Sequence, residues 1–290
     1  MKIRDMFERG TVFSFEIFPP KKTAPIETIY NTLEELGDLK PDFYKALVIQ
    51  VAGGSSQSVS TCEIAHTIKE KYGIEPAAHL PCINYAKDEI TAILAEFKSR
   101  GIENILALRG DINPEVPPKS DFRYASELVE FIKGFGDFDI AGACYPEGHI
   151  DTPDMVQDIL NLKKKTDAGA SHLISQLFFD NSCYYSFMEK IRIAGINVPV
   201  EAGIMPVTNK KKSIERMVSM CGASLPPKFT KIMQKYENNP EALRDAGIAY
   251  AIDQIVDLVS NGADGIHLYT MNNAYVARRI SEAVESIIRV

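Results

Sequence analysis

The stretch SFEIFPPKK, residues 14–22, sets one carboxylate, Glu16, inside an apolar run that stops at two prolines. An acid buried among aromatic and aliphatic side chains is costly unless it is partnered or keeps its proton, so this run reads as a strand with a chemical purpose at its end. LALRGD, 106–111, leads from an apolar strand into Arg109, Gly110 and Asp111. Glycine adopts backbone conformations that other residues resist, so a cation and an anion could face one ligand here. A surface turn with a local ion pair explains the same residues equally well. YPEGH, 145–149, offers the ring of Tyr145, the imidazole of His149 and a tight bend, which an ordinary loop would also show. The helix-like stretch behind it carries Asp158, Asn161 and Lys165, three and four residues apart and so on one face. A carboxylate, an amide and an ammonium so placed could hold the phosphates and a hydroxyl of a nucleotide, or could simply meet solvent. His79, in AAHLPC, has the small and apolar neighbours of a satisfied core histidine. Gln176, in LISQLFFD, is an amide in an apolar strand and needs a partner if buried. The donor and acceptor edges of a flat heteroaromatic ligand would supply one.

Bringing these residues together requires a frame. β-rich runs are predicted at 11–18, 43–52, 75–81, 103–109, 139–145, 171–178, 197–205 and 264–270. Helical patterns occupy 25–37, 57–72, 86–100, 121–134, 152–168, 181–194, 210–220, 241–261 and 273–289. Thr152-Pro153-Asp154 supplies a helix start with a cap, a proline and an acid. Strands alternating with helices make a parallel sheet, and eight of them suit a closed (β/α)8 barrel of TIM type. An open doubly wound sheet is the competing fold. No linker-like composition break interrupts the chain, so residues 1–290 are expected to form a single domain, with 223–240 as an excursion. In a barrel, chemistry belongs at the C-terminal strand ends. Glu16, His79, Arg109, Asp111, Tyr145, His149, Gln176, Thr270 and Asn272 collect there.

Composition narrows the classes. With 45% hydrophobic and 24% charged residues, the chain has the profile of a soluble globular protein. A net charge of −7 gives no electrostatic case for a nucleic-acid partner. No apolar run is long enough to span a membrane, and no secretory h-region is present. Five scattered cysteines without a CxxC read as reduced thiols, so the expected location is the cytoplasm and no metal site is expected. GxGxxG, the P-loop, HExxH and GxSxG are all absent.

SFEIFPPK, AAHLPC, ALRGD, YPEGH, DAGA, QLFFD, GIMPVTN and GIHLYTMN, in this order, resemble the methylenetetrahydrofolate reductase family in its short bacterial form. The resemblance runs from about residue 11 to 275 and implies a flavoprotein barrel. It further implies reduction of 5,10-methylenetetrahydrofolate to 5-methyltetrahydrofolate, with FAD carrying a hydride from NADH, NADPH or another donor. Glu16 matches the family's general acid, which protonates N10 of the folate to open its five-membered ring. Burial among Phe13, Phe15, Ile17 and Phe18 would favour the protonated carboxyl that this task needs. Asp111 matches an aspartate near the N1/C2 edge of the flavin, where its charge would lower the flavin potential and help to polarise the folate. His79, Arg109, Gly110, Tyr124, Ala125, Tyr145, His149, Asp158, Asn161 and Lys165 fall at FAD-contacting positions. Gln176 matches the glutamine that meets the pterin or the nicotinamide, and the resemblance also implies a homo-oligomer.

Two departures stand out. Where the family reads SVTYGAGGS, this chain has ALVIQVAGGSS, with Ile49 and Gln50 in place of the threonine and tyrosine that touch nicotinamide and flavin. Asn273 and Lys212 stand where the family often has an arginine and a glutamine for folate, and Lys212 could meet the glutamate tail by charge. The alternatives are a flavin-binding subunit fed by an electron-delivering partner and a pterin-binding methyl-transfer barrel without redox chemistry.

Overall fold

A computed structural model describes residues 1–17, 33–35, 47–51, 58–112, 117–208, 218 and 221–288. Its strands are β1 (Val12–Ile17), β2 (Leu47–Val51), β3 (Glu75–Pro81), β4 (Asn104–Leu108), β5 (Asp139–Cys144), β6 (His172–Ser175), β7 (Val200–Ile204) and β8 (Gly265–Tyr269). They pair in parallel in chain order, and β1 also pairs with β8, which closes the barrel and excludes the open sheet. Each lies inside or almost inside its predicted run.

The helices are α1 (Ser58–Tyr72), α2 (Lys87–Ser99), α3 (Ala125–Phe135), α4 (Met155–Asp167), α5 (Asn181–Ile193), α6 (Pro227–Tyr236), α7 (Pro240–Ser260) and α8 (Ala274–Ile288). The start of α4 falls three residues later than expected: Asp154, not Thr152, is the cap, and its side chain accepts from Gln157 N–H. Much of the expected excursion at 223–240 is helix α6, which begins on a proline where a missing N–H costs nothing. Of the predicted helix at 25–37 only residues 33–35 are described, and these are helical.

Strand alternation divides the barrel into an apolar outside and a polar inside. Phe13 and Phe15 of β1 pack outward with Leu173, Ala202, Ile204, Ile266 and Leu268, against side chains of α4, α5, α7 and α8. Ile17 joins a second outer cluster with Ala78, Leu80, Ile105 and Ala107, against α1, α2 and α3. Each of the buried phenylalanine, leucine and isoleucine side chains contributes about 1.5–3 kcal/mol. The intervening residues, Ser14 and Glu16, face inward. The Ser14 hydroxyl bonds Glu201 of β7, and β1 and β7 are not neighbours, so the two side chains meet inside the barrel. The expectation that Phe13, Phe15 and Ile17 surround Glu16 is therefore corrected: period-two alternation turns them away from it. Phe18 lies outside the described residues.

The N-terminal segment covers one end of the barrel. Ile3 N–H donates to Asn104 Oδ1 at 2.9 Å and Arg4 N–H to Asp139 Oδ2 at 2.9 Å. Ile3 and Met6 pack on Val12 and Ala77, and the Phe7 ring lies 5.4 Å from that of His172. These groups cover the N-terminal strand ends, and Glu16 lies toward the opposite, C-terminal ends.

Candidate active site

Glu16 is 7% exposed, one residue before the end of β1. Its Oε2 lies 3.7 Å from His267 Nε2, contributed by β8. The other ring nitrogen, Nδ1, is 2.7 Å from Ser14 Oγ. Glu201, fully buried, takes the Ser14 hydroxyl on one carboxyl oxygen, and its other oxygen has no hydrogen-bond partner among the described residues. Burial pushes Glu201 up to about 7. His79, on β3, is also buried, and its Nε2 has no partner among the described residues. Burial pulls it down to about 4, against the opposing pull of Glu16, so its ring is neutral at neutral pH. The satisfied core histidine of the sequence reading is thus corrected on one point: the ring is in the core, but its Nε2 has no partner among the described residues.

The strand ends beside Glu16 are pinned and strained. Thr270 donates its hydroxyl to the Glu16 carbonyl at 2.6 Å. Met271 and Asn272, which follow, have φ of 51° and 56°, left-handed values that non-glycine residues seldom adopt. The Tyr269 ring meets that of His267 edge-on at 4.7 Å, and its hydroxyl donates to the Ser175 carbonyl at 2.9 Å. Gln176, just past β6, is partnered from within: its Oε1 accepts Leu177 N–H at 2.9 Å.

A second feature opens between β4, β5, α3 and α4, a cavity of about 470 Å³. Arg109, Tyr124, Ala125, Tyr145, His149, Asp158, Asn161 and Lys165 all line it. His79, Gly110, Asp111 and Gln176 do not, and Lys212 lies outside the described residues. Arg109 pairs with Asp151 at 2.8 Å rather than with Asp111, which is exposed, so the alternative of a local ion pair within the RGD turn gives way to a pair between two cavity-lining residues. Gly110 has φ +86°, and a Cβ there would stand 2.9 Å from Pro81 Cβ, so the turn after β4 requires glycine.

Tyr145 and His149 meet edge-on at 4.5 Å. Asp151 N–H donates to His149 Nδ1 at 3.0 Å, which leaves the proton of the neutral ring on Nε2. Burial, reinforced by Arg109, holds His149 below its ordinary value. Burial pushes the Asp158 carboxyl up, and Thr152 donates to it at 3.2 Å. The stem of Lys165 crosses Gly142, where a Cβ would stand 2.6 Å from its Cδ, and its ammonium donates to the Ala143 carbonyl. Burial lowers Lys165 from its ordinary value. At the start of α3, Glu127 turns back to the N–H groups of Arg123 and Tyr124, and Ala125 and Ser126 line the cavity beyond.

The profile of the methylenetetrahydrofolate reductase family matches residues 2–285. The chain belongs to that family. A 5,10-methylenetetrahydrofolate reductase of Pectobacterium carotovorum subsp. carotovorum is 36% identical over 267 residues, 92% of this chain and 88% of that protein. That of Escherichia coli (strain K12) is 35% identical over the same shares. A methylenetetrahydrofolate reductase (NADH) 1 of Arabidopsis thaliana is 36% identical over 93% of this chain, which spans 48% of the plant protein. Among solved structures, an uncharacterised protein from Clostridium thermocellum that binds two copies of 5-methyl-5,6,7,8-tetrahydrofolic acid has a TM-score of 0.66 at 15% identity, over 98% of both chains, a likeness of fold.

Within this member of the methylenetetrahydrofolate reductase family, the eight cavity residues and Glu16 were approachable from sequence. Ser14, Asp151, Thr152, Glu201 and His267 were missed. Ser14 and Glu16 share a strand face by the spacing of two. Glu201 in VEAGI and His267 in GIHLY are polar residues in apolar strands, the same signal that drew attention to Gln176. The departure in β2 is placed by its register, Phe15 beside Ile49 and Glu16 beside Gln50. Among the described residues, no helix is long and apolar enough to cross a membrane.

Proposed function

We propose that this chain, as one barrel domain, reduces 5,10-methylenetetrahydrofolate to 5-methyltetrahydrofolate with FAD as its cofactor and Glu16 as the acid. The observation that carries the reading is a buried carboxyl near the C-terminal end of β1, with a cavity suited to a nucleotide built from the β4 and β5 ends. The residues present fit FAD. His79 Nε2 is a buried polar atom without a partner among the described residues, and Arg109, Lys165 and the first turn of α3 supply positive charge and N–H donors suited to phosphates. When bound, FAD supplies a two-electron carrier between a reduced nicotinamide and the folate.

The chain's own part is positioning and proton supply. Glu16 gives its proton to N10 of the folate, so that the ring opens to the iminium that accepts hydride. Gln176 meets the flat edge of pterin or nicotinamide, and Lys212 the glutamate tail. Asp111 would bring a negative charge near the flavin ring when FAD is bound and so make the cofactor harder to reduce. Asp111→Asn is therefore expected to raise the flavin midpoint potential, by about 30 mV for each 1.4 kcal/mol of lost repulsion in a two-electron couple. A spectroelectrochemical titration giving an unchanged potential would count against the placement of Asp111.

The altered β2 favours one second reading, a flavin-binding barrel that receives electrons from a partner subunit. Oxidation of NADH or NADPH by the isolated chain with menadione as acceptor separates the two. Turnover supports direct use of nicotinamide. Failure, in a protein that still exchanges electrons with folate, supports the partner.

A further inference from the structure

The barrel interior holds an acid to which the proposed reduction gives no role. Glu201, the second residue of β7, is fully buried with one carboxyl oxygen unpartnered among the described residues. Its other oxygen bonds Ser14 Oγ, which lies 2.7 Å from His267 Nδ1, and His267 Nε2 lies 3.7 Å from Glu16 Oε2. Every atom in this line can give or take a proton, and the line runs inside the barrel from near the start of β7 to near the C-terminal end of β1. The last gap is longer than a direct hydrogen bond, as acid–base contacts often are before substrate tightens them.

Few groups compete for the proton. From β3, His79 faces the line and burial keeps it neutral near pH 7. From β8, Tyr269 is held well above its ordinary value by burial, and its hydroxyl is committed to the Ser175 carbonyl. On β6 the register partner of Glu201 is Ile174, which carries no charge.

We infer that Glu201 holds a reserve proton for Glu16 and delivers it through Ser14 and His267. This rests on the reading of Glu16 as the acid. Ser14 donates to Glu201 when that acid is a carboxylate; when Glu201 is protonated the bond reverses, so that Glu201 Oε2 donates to Ser14 Oγ, Ser14 donates to His267 Nδ1, and the neutral ring carries its proton on Nε2. From that state the Glu201 carboxyl passes its proton to Ser14 Oγ, the original Ser14 proton passes to His267 Nδ1, and the proton on His267 Nε2 passes to Glu16 Oε2. Glu201 ends as a carboxylate, the Ser14 hydroxyl is restored, His267 is neutral in its other tautomer, and Glu16 is protonated. No electron changes hands. Glu201 touches no substrate; it positions a proton. Held at about 7 by burial, it keeps that proton where a solvated carboxyl has lost it.

The test follows the two half-reactions separately by anaerobic rapid mixing across the neutral pH range. In Ser14→Ala and Glu201→Gln, oxidation of the reduced flavin by 5,10-methylenetetrahydrofolate should fall about tenfold near neutral pH and recover toward the native rate in mild acid. Flavin reduction by the donor should be unmoved at every pH. Ser14→Thr, which keeps the hydroxyl, should restore the native profile. A readout without turnover is the infrared carbonyl band of a buried protonated carboxyl. It should fade in the native protein as pH rises through about 7, be absent from Glu201→Gln, and persist in Ser14→Ala.

A native pH profile in folded Ser14→Ala would overturn the relay, and so would an unchanged carbonyl band in Glu201→Gln. If Glu16→Gln still reduces folate at the native rate, the acid itself is misassigned and the relay falls with it. If Glu16→Gln is inactive while Ser14→Ala and Glu201→Gln are native, the relay alone fails.

Discussion

Glu16→Gln should abolish folate reduction, by about 100-fold or more, while leaving reduction of the flavin by its donor largely intact. The amide keeps the shape of the side chain and its place one residue before the end of β1, beside His267, but holds no transferable proton. Ring opening of the folate needs that proton on nitrogen, whereas hydride arrival from a nicotinamide needs no acid at this position. The two half-reactions should therefore part company, and rapid mixing measures each alone. Equal loss of both would show that Glu16 supports the cofactor or the fold and is not the acid.

Lys165→Met is the second substitution with a large expected effect. Methionine keeps most of the stem that crosses Gly142 but removes the ammonium at the cavity wall. A hydrogen bond to a charged group contributes about 1.5–3 kcal/mol, so FAD affinity should fall by roughly 10–100-fold. Fluorescence titration of the flavin-free protein with FAD measures it, and the thermal unfolding of the flavin-free protein should change little. Native affinity in the variant would remove Lys165, and with it the α4 face, from the phosphate site.

The barrel was legible because its signal is redundant: eight apolar runs, each followed by a helical pattern, leave few closed arrangements. The face of α4 was legible for a similar reason, since Asp158, Asn161 and Lys165 share it by helical spacing and all reach one cavity. Inside the barrel the sequence says less. Glu16 was recognisable as unusual, yet its surroundings were assigned to its chain neighbours. Alternation turns those neighbours outward, and the groups that touch it come from β8 and, through Ser14, from β7. These contacts join residues some 190–250 positions apart along the chain, and no local pattern encodes them. Arg109 teaches the same lesson. Its partner is Asp151, 42 residues away, and not the aspartate two positions along.

The central claim, a flavin that exchanges electrons with folate in this barrel, is tested most directly by an anaerobic visible spectrum of the purified protein. The spectrum is recorded before and after addition of 5-methyltetrahydrofolate. Flavin absorption that bleaches on addition is the predicted result, and it establishes the cofactor and the folate half-reaction together. Flavin that stays oxidised, or a colourless protein that takes up no FAD, would contradict the account.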